Sequence, residues 1–346
     1  MPAADADQTT AQPRAHWMDT VRGLAVLLVV LTHTYTMPQV LDAEFQSKTL
    51  AGIVQFFHSF RMPILLFLSG VLLPRSVAKP LAVYYRGKAE KILWPYLVWT
   101  VVVALALWRP QSLLKPEYWV GGTWHLWFLW VLLACYLVGP ITRWVPSWAV
   151  AGTFVALLLI LEDTPKDLHR ILYWGVFFFL GAAFGRLLSH IKEMHWSLVL
   201  LSGAWTAVAV WAHMAGHYSM GTLRPVTLLA GLGGIVFGLW VAQRLPRVPF
   251  LEFCGRRSIV LYVAHMPVLM IACRLLEDVA SIRPIDFYLW MASATFLVPL
   301  LLAAVYPAVR WLFEFPSTKT RPMPALPATG GPFPQRRDAL VPRRAA

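Results

Sequence analysis

Apolar residues along this chain gather into long runs, at about 20–37, 51–73, 92–108, 124–142, 147–161, 171–189, 196–214, 226–243, 256–273 and 286–312. Short connections holding charges, prolines and glycines separate them. At 1.5 Å of rise per residue, about 20 apolar residues cross a hydrocarbon core of roughly 30 Å. The pattern therefore predicts an all-α, polytopic integral membrane bundle of about ten transmembrane helices. Composition points the same way: 346 residues that are 58% hydrophobic and 14% charged, with 17 tryptophans, and a mean hydropathy of +0.59, are too apolar for a soluble domain. No internal repeat stands out.

Charge sets the expected orientation. The net charge of +13 would suit a nucleic-acid binder, but its distribution argues against one. With the N-terminus in the cytoplasm, 21 Lys and Arg fall on the cytoplasmic side, among them Arg75, Lys79, Arg86, Lys88 and Lys91; 8 fall on the other side, and Arg61 lies inside a run. That asymmetry is the positive-inside signal, and it predicts both termini in the cytoplasm of a multi-pass plasma-membrane protein, with no nucleic-acid partner. Three regions follow: a cytoplasmic segment 1–18, a transmembrane domain 19–314, and a disordered cytoplasmic tail 315–346 rich in Pro, Ala and Arg. The first region is polar and carries Asp5 and Asp7 where a signal peptide has a basic start, so the first helix is expected to target the chain itself. The tail contains Leu326–Gly330, LPATG, which looks like a sortase signal but lacks the hydrophobic span such a signal needs. Cys135, Cys254 and Cys273 lie in or beside apolar runs without metal-like spacing and read as small core residues; no metal site is expected.

Candidate chemistry concentrates in Asp19–His33, DTVRGLAVLLVVLTH. Eleven steps along the chain lead from Arg22 to His33, so the two side chains lie about 20° apart around the helix and about 16 Å apart along it. Asp19, one turn before Arg22, is placed to pair with it and orient it. Arg22 falls near the cytoplasmic boundary and His33 at mid-bilayer depth or beyond. A histidine so placed can be a packed residue in a helix–helix hydrogen bond, but ionisable groups at that depth usually face a cavity or pathway. Thr32, Thr34 and Tyr35 make the same half of the helix polar, which favours a cleft. Histidine takes and returns a proton near neutral pH, and arginine suits a phosphate-bearing donor. Together they suggest group transfer.

Further candidates carry two readings each. Arg61, close to His58, either faces the cleft and stabilises developing negative charge or snorkels to the interface. His125, between Trp124 and Trp127, either binds a polar acceptor at the rim or belongs to an aromatic belt. His265 precedes Pro267, which frees backbone carbonyls; it either joins the cleft or makes a structural hydrogen bond. One or two of Arg86, Lys88 and Lys91 could meet donor phosphates, while Gly231–Gly234 read as close helix packing.

The Asp19–His33 segment resembles the Arg-(ten residues)-His signature of membrane acyltransferase family 3. Phe60–Gly70 (FRMPILLFLSG) is similar to that family's second-helix motif, His125–Pro140 to its fourth-helix region, and Ser258–Val268 (SIVLYVAHMPV) to the segment near its penultimate helix. The matches keep the family's order from Asp19 to Pro267. One departure is Leu65-Leu66, where relatives often carry two aromatics. The resemblance implies an O-acyltransferase that uses acyl-CoA, most often acetyl-CoA, as co-substrate, with no permanently bound cofactor. Its acceptor would be a hydroxyl on a carbohydrate, lipid or small secondary metabolite. It makes Arg22 and His33 the signature pair, with Arg22 helping to hold the donor; the residues themselves add Asp19 and Arg61 as donor-binding or orienting candidates and His125, His265 and Tyr35 as possible acceptor or cleft residues. His33 would deprotonate the acceptor or briefly carry the acyl group. Unlike the larger two-domain members of that family, this chain is expected to carry no second catalytic domain, since only residues 315–346 follow the last span. A secondary transporter using intramembrane histidines for protons or substrate is the alternative.

Overall fold

The structure, a computed structural model, describes residues 15–40, 48–161, 164–215, 225–277 and 284–316. Most of the expected segment 1–18 and of the tail 315–346, with Leu326–Gly330, lies outside the described residues.

Each apolar run forms a helix. We number the main ones α1 (His16–Val40), α2 (Lys48–Gly70), α3 (Trp94–Ala106), α4 (Trp127–Ile141), α5 (Ser147–Ile160), α6 (Lys166–Phe184), α7 (Trp196–Met214), α8 (Pro225–Ala242), α9 (Pro249–Arg256), α10 (Ser258–Glu277) and α11 (Pro284–Ala304). Among the described residues there is no strand. The all-α class is thus as expected, but ten spans are not established. Among the described residues six segments are long and apolar enough to cross a bilayer: His16–Met37, Leu81–Ala106, Trp124–Ile141, Lys166–Ile191, Trp196–His213 and Ser258–Leu275. A seventh is added if Leu289–Ala304 and Tyr306–Leu312, bent by 85°, form one broken span. The apolar helix α5, with 14 residues, rises only about 21 Å. A long apolar run is therefore weaker evidence for a crossing than the sequence pattern alone suggests.

α1 lies at the centre, packed against α2, α8, α9, α10 and α11. Val21, Ala25, Val26, Val29 and Val30 are all at most 5% exposed, so the apolar positions of this helix are covered by protein on more than one side. Small residues set how closely its neighbours approach. A Cβ on Gly23 would overlap the Leu251 carbonyl, and one on Gly255 the Asp19 carbonyl, so α1 and α9 cross backbone to backbone. α2 and α6 meet in the same way at Gly70 against Phe178 and at Gly181 against Phe67. Gly231 faces Phe177 and Pro63, and Gly233 the Ser202 carbonyl and Thr206, which is the packing role expected of that glycine group. Cys135, Cys254 and Cys273 are buried.

α3 continues through a π-helical turn, Ala89–Leu93, from the helix Leu81–Lys88. The end of the described chain is pinned to this element. Phe315 N donates to the Glu90 carbonyl (3.0 Å), Trp94 Nε1 to the Trp311 carbonyl (2.7 Å) and Trp99 Nε1 to the Leu312 carbonyl (3.0 Å).

Candidate active site

Three histidines from separate parts of the sequence meet in the bundle. α1 runs unbroken from His16 to Val40, which keeps Arg22 and His33 on one face, about 16 Å apart along the axis. His33 faces α10: its Nδ1 lies 3.0 Å from the Val29 carbonyl and 3.2 Å from His265 Nε2, with ring centroids 5.1 Å apart. His265 is fully enclosed, and its Nδ1 lies 3.1 Å from the Leu261 carbonyl. The His125 ring packs edge-on against it at 5.1 Å. His33 is half-buried.

His125 reaches this cluster through a sharp change of chain direction. Gly121 and Gly122 adopt φ of +80° and +79°, a region open to glycine but strained for other residues. A Cβ on Gly122 would strike the Trp127 backbone. The 3₁₀ turn Trp124–Leu126 follows and sends His125 inward, where it is 2% exposed. The reading of His125 as a rim or belt residue is thereby corrected: the glycine turn buries it while Trp124 beside it stays 47% exposed.

Its hydrogen bond explains the proline in α10. Pro267 has no N–H to give to the carbonyl four residues earlier, that of Val263. His125 Nε2 donates to that carbonyl at 3.2 Å. Tyr262 OH in turn donates to the His125 carbonyl, closing a two-way link between the turn and α10. The same device recurs in α4, where Pro140 frees the Tyr136 carbonyl and Tyr84 OH donates to it at 2.7 Å.

Arg61 is enclosed, 4% exposed, so it does not snorkel. Its Nη1 donates to Thr32 Oγ1 at 2.5 Å, and Thr32 donates onward to the Leu28 carbonyl at 2.8 Å. Arg61 Nε and His125 Nδ1 are buried without a hydrogen-bond partner among the described residues. Tyr35 is also buried within α1, 7% exposed. The side chain of His58 lies outside the described residues.

Arg22 borders a narrow cavity of about 130 Å³ between α1, α2, α4 and α10, walled by Val26, Ser69, Phe128, Leu132, Ser258 and Tyr262 among others. His33 is not one of its walls; it stands two turns beyond Val26 along α1. Arg22 Nη2 donates to the Leu68 carbonyl (3.3 Å) and Tyr136 OH to the Ser69 carbonyl (3.0 Å). The Lys88 ammonium sits 3.4 Å from the centre of the Tyr136 ring, a cation–π contact. Asp19 is 2% exposed beneath α9. Leu65, where relatives often carry an aromatic, lines the Arg22 cavity, and Leu66 is fully buried.

The structure thus brings His33, His125 and His265 together, a grouping that the sequence reading does not make for His125 and leaves open for His265. Tyr262 and Tyr136 were missed. Tyr136 stands four residues before Pro140, a spacing that a search for carbonyls freed by proline would have found; Tyr262, five residues before Pro267, carries no such signal. Among the described residues no three His, Cys, Asp or Glu side chains are arranged to hold a metal ion.

Apolar helices closed around an arginine and three histidines define a multi-pass membrane protein with a polar centre inside its bundle. Residues 15–304 match the family model described as the acyltransferase domain of acyltransferase family 3, and the chain belongs to that family. It is a membrane acyltransferase. No match is found among curated proteins or among solved structures.

Proposed function

We propose that the protein moves an acyl group, acetyl in the first instance, from cytoplasmic acyl-CoA to a hydroxyl of a carbohydrate, lipid or small metabolite, and that both termini lie in the cytoplasm of the plasma membrane. The observation that carries this reading is the placement of Arg22 on a narrow cavity whose α1 wall continues, two turns on, to His33 and its histidine neighbours. Acyl-CoA, when bound, supplies an activated thioester. Arg22 would hold its anionic portion, with Lys88 held close by on Tyr136, and the cavity beside Val26 and Tyr262 is suited to a slender chain rather than a nucleotide.

In direct transfer, His33 takes the acceptor O–H proton as oxygen attacks the thioester carbon. The acyl–oxygen bond forms, the carbon–sulfur bond breaks, and the departing thiolate receives the proton from the imidazolium. In the two-step route, His33 nitrogen attacks the thioester carbon and the carbon–sulfur bond breaks to release the thiolate; the acyl-imidazolium then passes its acyl group to the acceptor oxygen, whose proton goes to the thiolate as the free imidazole is restored. Arg61, buried next to Thr32 with Nε available, is suited to stabilise the carbonyl oxygen as it becomes negative in either route.

The test is transfer of labelled acetyl from acetyl-CoA by purified protein to an envelope and small-metabolite extract. Label passing into an alkali-labile product with wild type but not with His33→Ala is the expected result. Full transfer by His33→Ala overturns the mechanism, and failure of acetyl-CoA and longer acyl-CoAs to bind turns the reading to the transporter.

A further inference from the structure

We infer that His265 is the positioning residue of His33: it holds the His33 ring with its proton on Nδ1 and thereby directs Nε2 to the chemistry. The inference rests on the proposed role of His33 as the reactive imidazole.

The argument is one of donors and acceptors. A backbone carbonyl only accepts, so a ring nitrogen hydrogen-bonded to one must carry a proton. His265 Nδ1 lies 3.1 Å from the Leu261 carbonyl and therefore bears its hydrogen. In the neutral ring Nε2 is then a bare acceptor. His33 Nδ1 lies 3.0 Å from the Val29 carbonyl and also bears its hydrogen, and this N–H points between that carbonyl and His265 Nε2 at 3.2 Å. For two neutral rings this arrangement satisfies all three contacts; any other would set two lone pairs, or two hydrogens, against each other.

The consequence concerns where a further proton can go. On His265 it would occupy Nε2 and face the His33 Nδ1 hydrogen across 3.2 Å, like against like. On His33 it occupies Nε2, leaves the contact with His265 intact and strengthens it, since the imidazolium is the better donor. The pair therefore accepts a proton at His33 Nε2. The same geometry serves both chemical routes, because Nε2 is the lone pair that abstracts a proton and also the one that would attack a thioester. Full enclosure of His265, with the His125 ring packed edge-on against it, keeps water from competing for its acceptor nitrogen. Val29 alone could select the tautomer, but a carbonyl on the same helix one turn away leaves the ring free to tilt; a second acceptor from α10 fixes its plane.

Two measurements test this. In acetyl transfer, His265→Leu should lower kcat about 10- to 100-fold, the usual effect of losing an orienting partner, with the donor KM unchanged. His265→Gln, whose side-chain oxygen can accept from His33 Nδ1, should recover most of it. On a His33→Ala background, His265→Leu should cost nothing more. Equal loss in His265→Gln and His265→Leu, with both folded, or no loss in either, overturns the inference. The second measurement needs no turnover: ¹⁵N spectra of histidine-labelled protein in detergent should contain a neutral ring protonated at Nδ1 that vanishes in His33→Ala and gains the Nε2–H form in His265→Leu. A His33 ring protonated at Nε2 in wild type overturns it even if acyl transfer proceeds, whereas a ring protonated at Nδ1 without acyl transfer supports the positioning and counts against the acyltransferase mechanism instead.

Discussion

The guanidinium of Arg61 on α2 donates to the hydroxyl of Thr32 on α1, one residue before His33. A cation with 4% exposure is costly to hold in a bundle unless its donors are used, and Thr32 uses one of them while fixing α2 against the reactive turn of α1. Thr32→Val keeps the shape but leaves that donor unsatisfied. We expect a loss of about 1–3 kcal/mol in stability, seen as a lower unfolding temperature in detergent, together with slower acyl transfer. Arg61→Met should restore much of the stability without restoring the rate. If Arg61→Met were as active as wild type, its proposed part in stabilising the acyl oxygen would be withdrawn.

Arg22 and His33 share a helix face but should fail differently. Removing a general base costs about 10²- to 10⁴-fold in rate, so His33→Ala should lose kcat. Arg22→Ala should chiefly raise the donor KM, by about tenfold for a lost interaction of ~1.4 kcal/mol, with kcat nearly preserved. Arg22→Lys should fall between. Steady-state kinetics with varied acetyl-CoA separates the two patterns; a pure kcat loss in Arg22→Ala would move that residue from donor holding to chemistry.

The crossing of α1 and α9 predicts a contrast between glycines. Gly255→Ala puts a methyl group into the Asp19 carbonyl, where backbone must give way, and overpacking of that kind costs about 1–3 kcal/mol. Gly87→Ala, in the helix Leu81–Lys88 with nothing within 4 Å of its new Cβ, should instead stabilise by up to about 1 kcal/mol. Thermal unfolding of the two variants should shift in opposite directions.

Beside that crossing, Glu252 accepts from Arg247 Nε and Nη2 (3.1 and 3.2 Å), and it contacts His16 Nδ1 (3.1 Å) and Arg256 Nη1 (3.4 Å). The Arg247 hydrogen bonds, with His16, pull its carboxyl down from 4.5 to about 2. A depressed carboxyl stabilises the folded state above its unfolded value and loses that contribution as pH falls through the folded one. Between about pH 5 and 2, the unfolding temperature of wild type should fall more steeply than that of Glu252→Gln. Parallel curves would show that the cluster does not tie α9 to α1.

What the sequence determined by itself was whatever depends on local order. Helical class follows from runs of apolar residues, and the shared face of Arg22 and His33 from an eleven-residue spacing on one unbroken helix. The value of Pro267 as a source of a free carbonyl was legible too, because a missing N–H is a covalent fact. Tertiary structure decided the rest. The number of spans could not be read from apolar runs, since hydrocarbon that faces protein and hydrocarbon that faces lipid have the same composition. His125 carried two readings, an acceptor-binding rim residue or a belt residue, because it stands between tryptophans at the end of an apolar run; its burial depends on two positive-φ glycines and on a carbonyl 138 residues away. The pairing of His33 with His265 spans 232 residues, and no local pattern encodes it: it exists because α1 and α10 pack side by side and bring two imidazoles within one hydrogen bond of each other.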